Sequence, residues 1–510
     1  MQPFDLATNL GVVAPEIGLT IMAIVVLFLD LQLAPDQRRN LAFVTFFGLI
    51  ATAALYLILW FPVPMGTPAG LGVQEGTYWG GMLRHDALAQ IFKVIVLLAG
   101  ALTALIASGS TGVGRKGEFY LIIIVSSLGG VLLAGAADLI MIFLALETVT
   151  IPLYVLAAFR RDDRRSSESG MKYFLFGSFA SAVLLYGFSL LYGFTGQTGI
   201  TAIAEYLGSE PFSANIVPVL IAMALIAVGF GFKIGAAPFH FWTPDVYEGA
   251  PTPVTAFLSV ASKAASFAVI ARFFIAVFPE GLVLNGQEVA SFWVQLASVL
   301  AVVSMTLGNV VALAQKNIKR LLAYSSIAQA GYTLIGVAAL SAGGENSLAA
   351  IGFYMFMYTF TNLLAFAVVI VFSEATGSEN IADLAGLSRR NPWLALTMTI
   401  ALLSLAGVPP AAGFFGKFFL FQAAVDAGLV WLAVVGVLNA IVALYYYLIV
   451  VKIMYVDHGR FEEQVIPVAQ PYVWTLAITA LAVLLLGTFA AQPIFDWASQ
   501  GAAVLLARGL

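Results

Sequence analysis

Long apolar blocks follow one another along almost the whole chain. Each holds about twenty residues or more, enough for a helix that rises about 1.5 Å per residue to cross a ~30 Å hydrocarbon core. Strands of a membrane barrel would instead alternate in blocks of about ten residues. Only 10% of the 510 residues are charged, far below the roughly 25% of a soluble domain. The sequence therefore predicts an all-α integral membrane protein.

Breaks rich in charged residues, glycine or proline divide these blocks into fourteen predicted transmembrane helices. The predicted spans cover residues 10–31, 40–61, 83–107, 118–134, 137–159, 171–195, 215–239, 252–278, 289–314, 318–340, 346–373, 392–426, 428–456 and 470–490. The weakest division lies between the fourth and fifth spans, where only the residues around Gly135 and Asp138 form a break.

Lysine and arginine are distributed unevenly between the connecting loops. They gather after odd-numbered spans, at Arg38, Arg39, Arg115, Lys116, Arg160, Arg161, Arg164, Arg165, Lys316, Lys319, Arg320, Arg389, Arg390, Lys452 and Arg460. Loops after even-numbered spans contribute essentially Arg84 alone. Because cytoplasmic loops retain basic residues, we expect both termini on the non-cytoplasmic side. The cluster at 160–165 is most simply a topology signal, although phospholipid headgroups or a partner subunit could use it.

The seventh and twelfth predicted spans are interrupted near a lysine, Lys233 in one and Lys417 in the other. The interrupting residues are Gly235 and Pro238 in the seventh span and Gly407, Pro409, Pro410 and Gly413 in the twelfth. Irregular backbone survives at membrane depth only where it lines a cavity or is buried in protein. We therefore expect two broken helices.

The spacing of these broken spans predicts an internal repeat. They are five spans apart and so run in opposite directions, as expected of two inverted repeats of about five helices. The predicted divisions are three N-terminal helices at 1–110, a first repeat of helices 4–8 at 118–278, a second repeat of helices 9–13 at 289–456, and a last helix with its tail at 470–510.

Four ionisable residues stand near the middle of apolar stretches: Glu147, Lys233, Lys263 and Lys417. A charge at the centre of a spanning helix costs roughly 2.5–3.5 kcal/mol on insertion scales, so such residues normally mark an ion or proton route. We predict that these four transfer protons. The structural alternatives are a protonated Glu147 in one interhelical hydrogen bond, a static ion pair, or lysines that reach an interface from helix ends.

Lys263 and two further residues, His240 and Lys172, have roles that the sequence leaves open. Burial disfavours the charged form of lysine and a neighbouring carboxylate favours it, so Lys263 would be a switchable proton carrier if a glutamate beside it could be drawn away. His240, seven residues after Lys233, could relay protons or be a satisfied loop histidine. Lys172 starts the sixth span, where cytoplasmic helix ends attract lysines, so its position alone favours a structural role.

The composition also predicts that the chain holds no cofactor of its own. It has no cysteine, and its three histidines lie at or near the ends of spans. No Walker A loop, dinucleotide-binding glycine motif or HExxH motif occurs. Driving energy must therefore come from an ion gradient or from another polypeptide.

Five stretches in order resemble one family of membrane proteins. They are LETVTIPLYVLAAF, GMKYFLFGSFASAVLLYG, FGFKIGAAPFHFWTPDVYEGAPTPVTAFLSVASKAA, NIKRLLAYSSIAQAGY and LAGVPPAAGFFGKFFLF. The family is that of the antiporter-like membrane subunits of NADH-quinone oxidoreductase, or respiratory complex I, and of multisubunit sodium/proton antiporters. The chain is most similar to the N type, because its eleventh span lacks the ionisable residues of the L and M types.

The resemblance implies roles for individual residues. Glu147 would pair with Lys233, and Lys263, with His240 nearby, would pass the proton inward. Lys417 would gate the exit, and Lys172 also occupies a position that the family treats as functional.

The resemblance implies a proton-translocating membrane subunit driven by NADH oxidation and quinone reduction elsewhere in the complex. NADH, FMN, iron–sulfur clusters and quinone would bind to partner subunits. The implied partners are subunit M, small membrane subunits and lipids, with no nucleic acid, in a bacterial plasma (inner) membrane. The alternatives are a subunit of a sodium/proton antiporter or of a membrane-bound hydrogenase, and a purely structural scaffold.

Overall fold

A computed structural model describes residues 5–63, 72–209, 216–459 and 465–506. Arg460 and the outermost residues of the predicted divisions 1–110 and 470–510 lie outside these ranges. Helices form almost all of the regular structure.

Twenty α-helices are present in the described part of the chain. They are α1 Leu6–Val12, α2 Ala14–Gln32, α3 Leu41–Ile58, α4 Ala87–Gly109, α5 Gly117–Gly135, α6 Leu139–Ala157, α7 Arg164–Thr195, α8 Ile200–Leu207, α9 Val217–Ile234, α10 Trp242–Gly249, α11 Thr252–Val277, α12 Val289–Ala312, α13 Ile318–Ala338, α14 Leu340–Thr376, α15 Leu387–Arg390, α16 Pro392–Ala406, α17 Ala412–Asp426, α18 Val430–Tyr455, α19 Gln470–Leu486 and α20 Ala491–Leu506. Short 3₁₀ turns occupy Gln37–Asn40 and Ile381–Leu384.

Six short strands pair in the loops. β1 (Pro62–Val63) lies parallel to β2 (Val73–Gln74), while β3 (Gly76–Tyr78) is antiparallel to β4 (Leu83–His85) and β5 (Val283–Leu284) to β6 (Gln287–Glu288). Each pair is a ribbon of two strands, and Leu83 of β4 also forms an antiparallel bridge to Ala136.

Twelve helices in the described ranges are long and apolar enough to cross a membrane, and α19 with α20 forms a further bent pair. The predicted twelfth span is split into α16 and α17, each of 15 residues. With that split span, these helices account for the fourteen predicted spans. The weak division between the fourth and fifth spans is present, since α5 ends at Gly135 and Asp138 caps α6.

Several helix starts differ from the prediction for local chemical reasons. The third span begins at Ala87 rather than residue 83, because Leu83–His85 pair as a strand and Asp86 accepts the N–H of Ala89 as the helix cap. The sixth span begins at Arg164 rather than residue 171, behind the cap of Asp163. These ends are set by side-chain caps, which hydropathy does not detect.

Four helices form the centre of the bundle: α4, α11, α13 and α14. In the most apolar window of α11, 94% of the residues are buried, against 39% for α7. α11 packs against α4, α5 and α14, and α13 packs against α12 and α14. Lys263, described below, lies on α11 in this centre and hydrogen-bonds to α13.

Candidate functional site

The seventh span ends in mid-bundle directly after Lys233. α9 stops at Ile234, and Gly235 adopts a left-handed conformation with φ +70°. A Cβ at Gly235 would lie 2.9 Å from Oγ1 of Thr243 and 3.8 Å from Nζ of Lys263. The break therefore adjoins the lysine of the next long helix, α11.

Lys233 has no direct acidic partner. Its side chain is 3% exposed, and its ammonium group makes no hydrogen bond within the described residues. The rings of Phe232 and Tyr154 lie 5.7 and 5.9 Å from Nζ. The direct Glu147–Lys233 pair implied by the resemblance is not formed, since no ion pair within 4 Å joins them, although the charge of Glu147 does act on Lys233.

Glu147 is half-buried on α6 and turns toward α7. It accepts a hydrogen bond of 2.6 Å from Oγ of Ser181. This neutral donor holds the carboxylate in place, which leaves Lys233 without an ionic contact.

Lys263 is held by α13. Its Nζ, on a side chain 2% exposed, donates to the carbonyl oxygen of Ser326 at 2.8 Å and to Oγ of the same residue at 2.6 Å. The hydroxyl of Tyr358 on α14 donates to the same Oγ at 2.9 Å, and the Tyr247 hydroxyl lies 3.3 Å away. The Ser326 hydroxyl therefore links Lys263 to the hydroxyls of two tyrosines, and all three of these groups are neutral.

His240 lies in the break between α9 and α10. Its ring is half-buried, its Nδ1 has no hydrogen-bond partner in the described structure, and Phe241 packs 5.6 Å away. No hydrogen bond in the described structure joins it to Lys263, whose two hydrogen bonds both go to Ser326. The two side chains are therefore not in direct contact through a hydrogen bond, and the transfer of a proton by Lys263 with His240 nearby stays a prediction.

Lys417 occupies the second broken span. Its Nζ donates to the carbonyls of Leu405 and Ala406 at 2.9 and 3.0 Å, the last residues of α16, and the ring of Tyr332 lies 4.6 Å from it. These carbonyls belong to the negative end of the α16 dipole, which favours a cation. Gly407, with φ +87°, ends the helix beside the lysine.

Neutral side chains connect the surroundings of Lys263 and Lys417. Ser325, next to Ser326 on α13, lies 2.5 Å from the hydroxyl of Tyr447. Nε2 of Gln329, one turn further along, donates to that hydroxyl at 3.3 Å and to the carbonyl of Leu405 at 3.1 Å. Leu405 is also the acceptor for Lys417. One turn of α13 thus reaches both lysine sites.

Lys172 belongs to an ion-pair network at the opposite end of α7 from its C-terminal Gly196 cap. It contacts Asp245 at 2.6 Å and Glu168 at 2.8 Å, and Arg320 contacts Asp245 at 2.8 Å and Glu248 at 3.0 Å. Burial tends to raise the pKa of Asp245, but hydrogen bonds and charge from Lys172 and Arg320 outweigh it and lower the pKa below its usual value. Glu248 and Arg320 also line a cleft of about 830 Å³.

The neutral residues around the lysines were not identified from the sequence. Ser326 and Gln329 lie in NIKRLLAYSSIAQAGY. This stretch is one of the five that resemble the family, but the resemblance implied no role for either residue. Their signal is a polar pair spaced by three residues in an apolar span, which places both on one face of α13. Two buried ion pairs, Lys93–Glu16 and Arg272–Asp86, were missed as well. Within the described ranges, no group of three or more His, Asp or Glu residues could hold a metal ion.

Comparisons with known proteins find chains that are similar to this one. Residues 136–443 match the family described as NADH:quinone oxidoreductase/Mrp antiporter, transmembrane region. The NADH-quinone oxidoreductase subunit N of Trichlorobacter lovleyi is 42% identical, over 96% of this chain and 96% of the relative.

Solved structures show the same fold. A chain of respiratory complex I from Thermus thermophilus superposes with a TM-score of 0.74 at 31% identity, covering 94% of this chain and 98% of that chain. A chain of the Mrp complex from a Dietzia species superposes with a TM-score of 0.80 at 20% identity, covering 96% and 97%, a likeness of fold alone. The predicted family and the helical antiporter-like fold are confirmed.

Proposed function

We propose a function for this chain from its family: it belongs to the transmembrane subunits of NADH:quinone oxidoreductases and Mrp antiporters. It is the proton-translocating subunit of an NADH-quinone oxidoreductase, as the name of its 42% identical relative supports. It lies in a bacterial inner membrane with both termini on the non-cytoplasmic side. Subunit M and small membrane subunits are its neighbours, and partner subunits bind NADH, FMN, iron–sulfur clusters and quinone.

The observation that carries the proposal is a set of buried lysines without acidic partners. Lys233, Lys263 and Lys417 are 3%, 2% and 4% exposed, and none of them makes an ion pair with a carboxylate in the described structure. An unpaired charge in hydrocarbon is costly, whereas a lysine that exchanges its proton avoids part of that cost. A static structural role would instead favour paired charges.

The proton route follows from the order of these groups. Lys172 and the network around it collect protons at the cytoplasmic entrance, and Lys233 receives them under the influence of Glu147. Water in the break, where His240 presents an unpartnered nitrogen, carries them to Lys263. The hydroxyl and amide groups of α13 lead on to Lys417.

The two breaks define the two halves of the route. We assign residues 118–278 and 289–456 to inverted repeats, each with one broken helix and one lysine beside its left-handed glycine. The remaining divisions, 1–110 and 470–510, flank them. Redox energy released in partner subunits shifts protons from the first half to the second.

The test replaces Lys233 by methionine in the assembled complex, with Lys116→Met, an exposed loop lysine, as the matched control. Proton uptake and NADH oxidation are measured together in sealed vesicles. We expect fewer protons per NADH for Lys233→Met and an unchanged ratio for Lys116→Met. A wild-type ratio in a stably assembled Lys233→Met complex would refute the assignment.

Purification of the native complex separates the alternatives. Co-isolation with flavin and iron–sulfur subunits supports the proposed function. Co-isolation with small membrane subunits only, together with sodium-dependent proton transport, would support a sodium/proton antiporter instead.

A further inference from the structure

A second group of buried ionisable side chains lies among the first long helices, apart from the central lysines. Nζ of Lys93 on α4 donates to Oε1 of Glu16 on α2 at 2.7 Å, and both side chains are 6% exposed. The ring of Tyr56 on α3 lies 4.9 Å from the ammonium group. A buried ion pair of this kind is stable only when its remaining polar atoms are also satisfied.

Several polar atoms around this pair lack a partner in the described part of the chain. They are Oε2 of Glu16, Oε1 of Gln90 and the ring nitrogens of His85, which make no hydrogen bond of good geometry. The polar neighbours of these groups are the Tyr56 hydroxyl beside Glu16 and the Trp60 backbone beside His85. Nε2 of Gln90 donates to the carbonyl of Tyr56, which places Gln90 beside the pair. Buried polar atoms nearly always bind protein or ordered water, and an internal water makes about three hydrogen bonds. We therefore expect ordered water beside these atoms, and we call the region around Glu16, Lys93, Gln90 and His85 the chamber.

His85 is suited to relay protons through that water. Burial, and then the charge of Lys93, lowers its pKa to about 4 against the opposing effects of Asp86 and Glu16. The ring is neutral near pH 7, so one nitrogen donates while the other accepts. The neighbouring Asp86 stays ionised, because Arg272 of α11 binds it through two contacts of 2.6 and 2.7 Å.

The chamber is connected to the central helices and to the surface. Arg272 lies nine residues after Lys263 on α11, about 13 Å along its axis. Arg84, whose side chain is 18% exposed, contacts Asp86 at 3.1 Å. Glu16 is the third residue of α2, whose N-terminus faces the non-cytoplasmic side in the proposed orientation. The cluster therefore lies between the central lysines, Lys233, Lys263 and Lys417, and the non-cytoplasmic surface in the proposed orientation.

We propose that Glu16, Lys93 and His85 form a hydrated proton-release site on the non-cytoplasmic side. The Lys93 ammonium transfers a proton to the Glu16 carboxylate across their hydrogen bond, leaving an amine and a carboxylic acid. The acid then gives its proton to water beside Oε2, and the amine takes up the next proton from the interior. This inference rests on the proton-translocating function proposed above.

The substitution Lys93→Arg tests the site in the assembled complex. Arginine keeps the positive charge and the ion pair but does not release a proton. A purely structural pair would tolerate the change, whereas a release site would lose protons translocated per NADH while assembly stays intact. If Lys93→Arg translocates as many protons per NADH as the wild type while Lys233→Met is defective, the release site is refuted and the proposed function stands. Wild-type ratios in both variants overturn the proposed function as well.

An infrared measurement keeps the inference testable if Lys93→Arg does not assemble. Proton transfer to Glu16 produces a protonated carboxyl group during NADH-driven turnover. We expect its absorption band in difference spectra of the wild type and its loss in the neutral double variant Glu16→Gln/Lys93→Gln. A difference spectrum that is unchanged by the double substitution would overturn the transfer.

Discussion

Replacing Gln329 by leucine is expected to weaken the connection between the two halves of the route. Gln329 donates to the carbonyl of Leu405 and to the hydroxyl of Tyr447, and it accepts a hydrogen bond from Tyr354. Side-chain hydrogen bonds between membrane helices average roughly 0.6 kcal/mol each. Three of them amount to about 2 kcal/mol, which is roughly a 30-fold change in the unfolding equilibrium constant. Leucine preserves the size of the side chain and removes all three.

Two measurements separate the effect on stability from the effect on transport. Unfolding in graded detergent should show the loss of about 2 kcal/mol, and a double-mutant cycle with Tyr354→Phe should show that the two residues are coupled. Vesicle assays should show fewer protons per NADH. Thr333→Val is the control, because within the described residues the Thr333 hydroxyl bonds only to the carbonyl of Gln329, inside α13. Unchanged stability and pumping in Gln329→Leu would refute the connection.

Three further changes test individual sites by thermal unfolding of the purified complex. Gly407→Ala should destabilise the complex by about 1–2 kcal/mol, because φ is +87° and the new Cβ would lie 3.0 Å from Cδ of Lys417. Gly193→Ala is the control: its new Cβ enters open space and should have little effect. The pKa of Asp245 lies below the ordinary 3.8, so its ion pairs should stabilise the fold at neutral pH and lose that effect as the pH falls through the folded-state pKa. The unfolding temperatures of the wild type and Asp245→Asn should therefore differ at neutral pH and converge in acid. Folding lowers the pKa of His85 from 6.5 to about 4, so as the pH falls the unfolded chain binds this proton before the folded chain does. The free energy of unfolding should therefore decline between pH 6.5 and about 4, and His85→Gln should flatten that decline.

The sequence predicted the helical architecture well, because the apolar blocks report directly on the hydrocarbon core. The breaks after Lys233 and before Lys417 were predicted for a local reason, since glycine and proline interrupt a helix wherever it lies. Helix starts such as Ala87 were misplaced, because a cap depends on a single side chain such as Asp86.

The contacts within the site could not be predicted in the same way. Lys263 was identified because a charge in an apolar block is conspicuous, but its partner Ser326 is 63 residues away and resembles many other serines. Glu16 was overlooked because it lies near the start of its span. Lys93 was overlooked although it is the eleventh residue of the predicted span 83–107, and the pairing of the two residues across 77 positions leaves no periodic signal. Long-range partners follow from tertiary packing.

One turn of α13 presents Ser325, Ser326 and Gln329, and their contacts reach both Lys263 and, through the carbonyl of Leu405, Lys417. If α13 rotated slightly about its long axis, the Ser326 hydroxyl would withdraw from the Lys263 ammonium group in the same movement that pulled the Gln329 amide away from the Leu405 carbonyl, the acceptor of Lys417. Because both contacts belong to one helix, the hydrogen bonds at the Lys263 site and at the Lys417 site would break or form together and not independently.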